Sequence, residues 1–366
     1  MNHFITLADL PNFNQTLDLA MDFKKDPGRF NTLGEGKTLG LLFFNPSLRT
    51  RLSTQKAAQN LGLKTMVMNF SQESWALEFE DGTKMSGLRS EHVREAAAVV
   101  SQYCDMIAIR AFASLSDKEK DESEIVLKSF TEYASVPIIN MESATAHPLQ
   151  AVADAITLKE FKTPHKPKVV LTWAPHPKAL PHAVGNSFTK MMENLDADFM
   201  IAHPDGYALN PLITKGVKCI NNQEEALENA DFIYTKNWCS YEHYGQILRT
   251  DDKWMITPEK MKLTNNGKFM HCLPIRRNIV AADEVLDSSN SLVIQQSQNR
   301  IYSAQAVLKQ LLENGVWPWS DRCKKIYEDV ISRSPFTKKS PMKGIKVDQT
   351  IYNERVMLQM LGLNEP

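Results

Sequence analysis

Apolar residues in this chain fall into short unbroken runs that alternate with longer stretches of helical period. Leu39 to Phe44 is apolar or Gly throughout and is cut off by Asn45-Pro46, the pattern of a strand buried on both faces and ended by a turn. Thr65-Met66-Val67-Met68, Met106 to Arg110, Val136 to Met141, Lys168 to Trp173, Phe199 to His203, Asp231 to Thr235, Lys268 to Cys272 and Leu292 to Ile294 repeat the short-run theme. Between them lie predicted helices over residues 49–62, 91–104, 123–134, 148–161, 181–195 and 224–229. A last one covers 299–314, with Ile301, Ala304, Val307, Leu308, Leu311 and Leu312 on one stripe. An earlier helix is predicted around Leu17, Leu19, Ala20 and Phe23. Strands alternating with helices predict α/β architecture with doubly wound parallel sheets.

The 366 residues suffice for about two domains. Thr163-Pro164-His165-Lys166-Pro167 reads as a joint between two such units, after a bridging helix from Pro148 to Phe161. The predicted layout is 1–150, 151–298, a returning helix 299–314, and an extension 315–366. That extension carries two short amphipathic stretches, Cys323 to Ile331 and Ile351 to Leu361, and its role is unread.

Hydrophobic residues make up 43% and charged residues 23%, a folded globular balance, and the net charge of −1 provides no global field for nucleic acid. Five scattered cysteines without ligand spacing predict reduced thiols in the cytoplasm and no metal. The first ten residues lack the features of a signal peptide, and no apolar run is long enough for a bilayer. No Gly-x-Gly-x-x-Gly follows a strand, so a dinucleotide site has no support.

Chemistry gathers at the ends of predicted strands. After Phe44-Asn45-Pro46 come Ser47-Leu48-Arg49-Thr50-Arg51. Ser47 is placed to cap a helix whose free N–H groups, with the two arginines and the hydroxyls of Ser47 and Thr50, would hold a phosphate. Arg110 and Glu142 end two further strands, where open α/β sheets bind ligands. His147-Pro148-Leu149-Gln150 opens the bridging helix, with Pro at an early position. Trp75 lies on a polar loop, where it either caps the domain core or stands exposed. His271-Cys272-Leu273-Pro274 and Asn299-Arg300 complete the set.

These four separated strings, in this order, resemble the aspartate/ornithine carbamoyltransferase family over about residues 1–314. The resemblance implies a carbamoyl-phosphate domain and an acceptor domain joined by interdomain helices, no cofactor, and a homotrimer in which Trp75 and Ser90 reach the neighbouring active site. It implies that Ser47, Leu48, Arg49, Thr50, Trp75 and Arg300 hold the phosphate. Thr50, Arg110 and His147 would serve the carbonyl oxygen, and Gln150 with the carbonyls of Cys272 and Leu273 the amide. Arg110, His147, Thr50 and Cys272 are thereby the expected catalytic residues.

His-Cys-Leu-Pro is similar to the ornithine branch. The Asp and Ser-Met-Gly loop that hold a free α-amino acid there are replaced by Lys236-Asn237-Trp238-Cys239-Ser240-Tyr241. That replacement resembles the acylornithine branch, with Glu142, His176, Lys236, Leu273 and Arg276 about the acceptor. In that branch acetyl enzymes have Glu at the position of Ser90 and a carboxylated Lys at that of Val280; succinyl enzymes have Pro and no Lys. Val280 matches the succinyl type and Ser90 matches neither. The expected reaction is therefore carbamoyl transfer to N2-succinyl-L-ornithine in arginine biosynthesis, with the acetyl substrate as the alternative. A catalytically inactive anion-binding homologue would lack phosphate or oxyanion residues, and none is missing.

Overall fold

The computed structural model describes residues 1–162 and 166–313. Thr163, Pro164 and His165 of the predicted joint lie outside the described residues, as does the extension 315–366 with its two amphipathic stretches.

Two parallel sheets form the frame. The first contains β1 (Thr38–Phe43), β2 (Lys64–Asn69), β3 (Met106–Arg110) and β4 (Ile138–Glu142), in the order β2-β1-β3-β4. The second contains β5 (Lys168–Trp173), β6 (Asp198–Ala202), β7 (Lys218–Ile220), β8 (Phe232–Lys236) and β9 (Lys268–Met270), ordered β9-β8-β5-β6-β7. Every pairing within them is parallel. In each sheet the strand order reverses once, beside β1 in the first and β5 in the second. Such reversals open the crevices in which α/β sheets hold ligands. The register brings Phe43 level with Arg110, and Arg110 level with Glu142 across a bulge. In the second sheet Lys236 sits level with Trp173.

The helices that matter are α1 (Phe13–Lys25), α2 (Arg49–Asn60), α3 (Val93–Tyr103), α4 (Ile125–Tyr133), α5 (Pro148–Glu160), α6 (Ala183–Met192) and α7 (Val293–Glu313). α5 is buried at every position from Pro148 to Leu158. A helix so enclosed has no solvent face, which explains why its sequence is apolar nearly all round. α7 packs on α5, α2 and α1, so the end of the described chain returns to the first sheet. Among the described residues no helix is long and apolar enough to cross a membrane.

Several expectations need correction. Leu292 to Ile294 is not a strand. Only Ser291 bridges to Phe269, and Gln296 N already bonds to Leu292 O at 2.8 Å. The returning helix thus starts at Val293 rather than 299, with Leu292 and Val293 buried and Ile294 turned out to solvent as a helical turn requires. The helix predicted over 123–134 begins only at Ile125, because Glu124 before it takes a left-handed φ of 52°. Its carboxylate compensates by accepting from Ser143 Oγ at 2.7 Å and from Thr145 N at 2.7 Å. The strand at Lys218–Ile220 was not read; it is three residues long and mostly exposed at the sheet edge.

Candidate active site

The turn after β1 is the first component. α2 begins at Arg49, with Leu48 at the capping position and no side-chain cap, so Ser47 does not cap the helix as expected. The first helical bond runs from Leu52 N to Leu48 O at 3.1 Å. The N–H groups of Arg49, Thr50 and Arg51 have no acceptor among the described residues, and the Ser47 hydroxyl has no partner either. Leaving the cap position to Leu48 keeps this positive helix end open for an anion.

Arg110 fixes the turn from behind. It is buried, and its Nη1 donates to Asn45 O at 2.9 Å and to Pro46 O at 2.5 Å. Its Nε donates to Glu142 Oε2 at 3.1 Å. Asn45 Oδ1 in turn accepts from Phe112 N at 2.6 Å. The end of β3 and the turn after β1 are thus one rigid unit. Glu142 Oε1 has no donor among the described residues.

Arg300 arrives from α7. Its Nη2 donates to Thr50 Oγ1 at 2.6 Å and its Nη1 to Gln150 Oε1 at 2.8 Å, all three side chains being buried. Residues 50, 150 and 300 therefore meet at one point. His147 lies beside them, its Nε2 3.4 Å from Glu142 Oε2 and its Nδ1 without a partner. Burial, then the charges of Arg300, Arg110 and Lys236, hold its pKa well below the ordinary value, so the ring is neutral and the contact with Glu142 is not an ion pair. The second domain steadies this loop: His147 N donates to Ser187 Oγ at 2.8 Å, and Asn186 Nδ2 to Thr145 O at 3.1 Å, both from α6.

The strand ends of the second sheet close the cleft. After β9, Leu273 takes a left-handed φ of 56°, and neither Cys272 O nor Leu273 O has a donor among the described residues. Burial pushes the Cys272 thiol up, so it is a neutral thiol. Arg276 Nε donates to His176 Nε2 at 3.2 Å, and half-buried Lys236 acts electrostatically on His147, His176, His271 and Cys272. Val280 is buried beneath the turn that carries Arg276, with its N bonded to Arg276 O. Arg49, half-buried, has its pKa lowered by burial, while Cys272 and Glu142 oppose that shift. Its guanidinium is thus within electrostatic reach of both strand-end clusters, and its buried Nε has no hydrogen-bond partner among the described residues.

Trp75 and Ser90 are not joined to this cluster by any hydrogen bond. Trp75 is 55% exposed and does not cap the core, and its indole donates to Glu91 at 2.8 Å. Ser90 is exposed on the same projecting loop. Asp154 and Gln296 were missed. Their only sequence signal is a carboxylate one helical turn beyond Gln150 and an amide one turn before Arg300. No cluster of three or more His, Cys, Asp or Glu placed to hold a metal occurs among the described residues.

A family model described as "Aspartate/ornithine carbamoyltransferase, carbamoyl-P binding domain" matches residues 2–160, and its partner, the "Asp/Orn binding domain", matches residues 182–311. The chain belongs to the aspartate/ornithine carbamoyltransferase family. An N-succinylornithine carbamoyltransferase of Bacteroides fragilis is 46% identical over 316 residues, covering 86% of this chain and 99% of the relative. An N-acetylornithine carbamoyltransferase of Xanthomonas campestris is 36% identical over 338 residues, covering 85% and 98%. The crystal structure of an N-acetyl-L-ornithine transcarbamylase mutant complexed with carbamyl phosphate and N-succinyl-L-norvaline superposes with a TM-score of 0.78 at 34% identity. It covers 85% of this chain and all of that one. The carbamoyltransferase fold, with its two parallel-sheet units, is thus shared.

Proposed function

We propose that this carbamoyltransferase uses N2-succinyl-L-ornithine as acceptor and makes N-succinyl-L-citrulline and phosphate, a step of arginine biosynthesis in the cytoplasm. The observation that carries the reading is the meeting of Thr50, Gln150 and Arg300 at the open start of α2. The higher identity to the succinyl relative than to the acetyl one supports the choice of acceptor.

In the reaction the deprotonated side-chain amine attacks the carbonyl carbon of carbamoyl phosphate. The C–N bond forms, the carbonyl oxygen takes negative charge, and the C–O bond to phosphate then breaks. The departing phosphate accepts the proton from nitrogen. Phosphate rests on the N–H groups after Leu48, on Ser47, Arg49 and Thr50, on Arg300, and on Trp75 of a neighbouring chain. The developing oxyanion is met by Thr50, Arg110 and neutral His147, whose ring can donate one N–H. Gln150 Oε1 keeps a second lone pair after accepting from Arg300, and with the free carbonyls of Cys272 and Leu273 it takes the amide N–H groups. The unpaired oxygen of Glu142 faces no rival donor and suits the incoming amine, while Arg276, His176 and Lys236 suit the acceptor's carboxylates. Most of the rate would come from holding two reactants together in a closed, positive cleft.

A shared site needs a second copy. Leu48 at 66% exposure, Leu52 at 58% and Met66 at 54% are the start of α2 and the outer face of edge strand β2. Large apolar side chains beside an anion site and an unpaired strand edge support burial in a homotrimer. Ser90 in place of a Glu favours the succinyl carboxylate but excludes no acetyl group, which keeps N-acetylornithine as the second reading. Citrulline-type product formed from carbamoyl phosphate with ornithine, acetylornithine and succinylornithine tests the choice. Succinylornithine should give the highest kcat/KM, and turnover of free ornithine alone would refute it.

A further inference from the structure

A buried polar chain runs from the anion site into the second domain through one carboxyl group. Asp154 lies on α5, one turn beyond Gln150, and is 1% exposed. Its Oδ1 accepts from Gln150 Nε2 at 2.7 Å and from Gln296 Nε2 at 2.7 Å. Gln150 then presents Oε1 to Arg300, and Gln296 presents Oε1 to His271 N at 2.9 Å. An amide side chain has one donor end and one acceptor end. Because Asp154 takes both donor ends, both amides are forced to turn their oxygens outward. One oxygen faces the carbamoyl side of the anion site. The other holds the first residue of the His271-Cys272-Leu273 turn, and His271 Nδ1 passes the restraint on by accepting from Leu273 N at 2.8 Å.

We propose that Asp154 is a positioning residue that sets both groups of acceptors for the carbamoyl amide, Gln150 on one side and the Cys272 and Leu273 carbonyls on the other. This rests on the carbamoyl-transfer reading above. Asp154 touches no substrate atom. It acts by removing the alternative in which either glutamine is flipped and offers its NH2 to an amide that is itself a donor. The arrangement works for the carboxylate and for the carboxylic acid, since Oδ1 accepts in both forms. Oδ2 and the Tyr234 hydroxyl are buried beside each other, near enough to interact electrostatically but outside good hydrogen-bond geometry. Both groups stay protonated more readily than usual: burial lifts Asp154 to about 7 and holds the Tyr234 phenol well above its ordinary value.

Anchoring at Asp154 concerns the amide, not the phosphate, and this separates it from a general packing role. Asp154→Leu keeps the volume and deletes the acceptor, while Asp154→Asn keeps one carbonyl oxygen for both glutamines. Steady-state kinetics with saturating succinylornithine should show Asp154→Leu raising KM for carbamoyl phosphate about ten- to hundredfold and lowering kcat, the range for a buried partner left unmet. Product inhibition by inorganic phosphate should change less than about threefold, and Asp154→Asn should return KM to within about fivefold of wild type. If the Leu variant keeps the wild-type KM, if Asn is as impaired as Leu, or if phosphate inhibition weakens in parallel, the proposal is wrong. Should Asp154→Leu fail to fold, Gln296→Met cuts only the His271 arm and must still raise that KM with phosphate inhibition unchanged; an unaltered KM overturns it. Absence of carbamoyl transfer by the wild-type enzyme would instead defeat the functional reading itself.

Discussion

Replacing Arg110 by Met should damage both chemistry and stability, and a second substitution should separate the two. Arg110 and Glu142 form a nearly enclosed pair, with side-chain exposures of 8% and 14%. Deleting the guanidinium leaves Glu142 charged in a poorly solvated place and leaves the carbonyls of Asn45 and Pro46 without their donor. Breaking such a pair costs about 3–5 kcal/mol. Loss of an oxyanion donor costs a further ~10²–10³ in kcat, roughly 3–4 kcal/mol of transition-state binding. Adding Glu142→Gln removes the stranded charge, so the double variant should regain about 2 kcal/mol of stability or more relative to Arg110→Met. It should regain none of the lost kcat, because no donor returns. Urea unfolding and steady-state kinetics on the three proteins measure both quantities. If kcat recovers along with stability, or falls only with the folded fraction, Arg110 is scaffolding and the oxyanion assignment fails.

Stability against pH should carry the mark of Asp154. Burial raises its carboxyl from 3.8 to about 7, so the folded chain keeps a proton that the unfolded chain releases. The stability this lends is full below about pH 4 and lost as pH rises through about 7. Asp154→Asn has no such proton and should gain on wild type by ~1.4 kcal/mol per pH unit across that window and no further above it; parallel urea curves would contradict this. Ser90→Glu should lower kcat/KM for succinylornithine about tenfold relative to acetylornithine, by setting a carboxylate against the succinyl carboxylate; an unchanged ratio argues that Ser90 is remote from the acyl group. Mixing two inactive proteins, Trp75→Ala and Arg300→Met, under conditions that exchange chains should restore activity, since a mixed site can join one intact Trp75 to another chain's Arg300. No recovery after proven exchange would refute the shared site.

The strand-end chemistry was legible because it is written locally. Arg110, Glu142 and Lys236 each follow an apolar run, and a parallel sheet places all such ends on one edge. The turn from β1 into α2 was legible but its capping was not, since Ser47 and Leu48 differ by one residue and sequence boundaries are no sharper than that. Glu124, Asp154 and Gln296 were illegible. Each acts through partners that are distant in the chain or hidden inside a helix, and a carboxylate among apolar neighbours reads as an ordinary solvated position until tertiary packing encloses it. The start of α7 was misread because Leu292-Val293-Ile294 favours a strand locally, whereas Leu292 N bonds to Phe269 O and Leu292 O then accepts from Gln296 N, which opens the helix.

The most direct test is a crystal structure of the protein with carbamoyl phosphate. Phosphate should sit on the N–H groups of residues 49–51 with Arg49 and Arg300 against it, and the carbonyl oxygen should lie within hydrogen-bond reach of Thr50, Arg110 and His147. Carbamoyl phosphate bound elsewhere, or Arg110 and Arg300 turned away from an empty turn, would contradict the account.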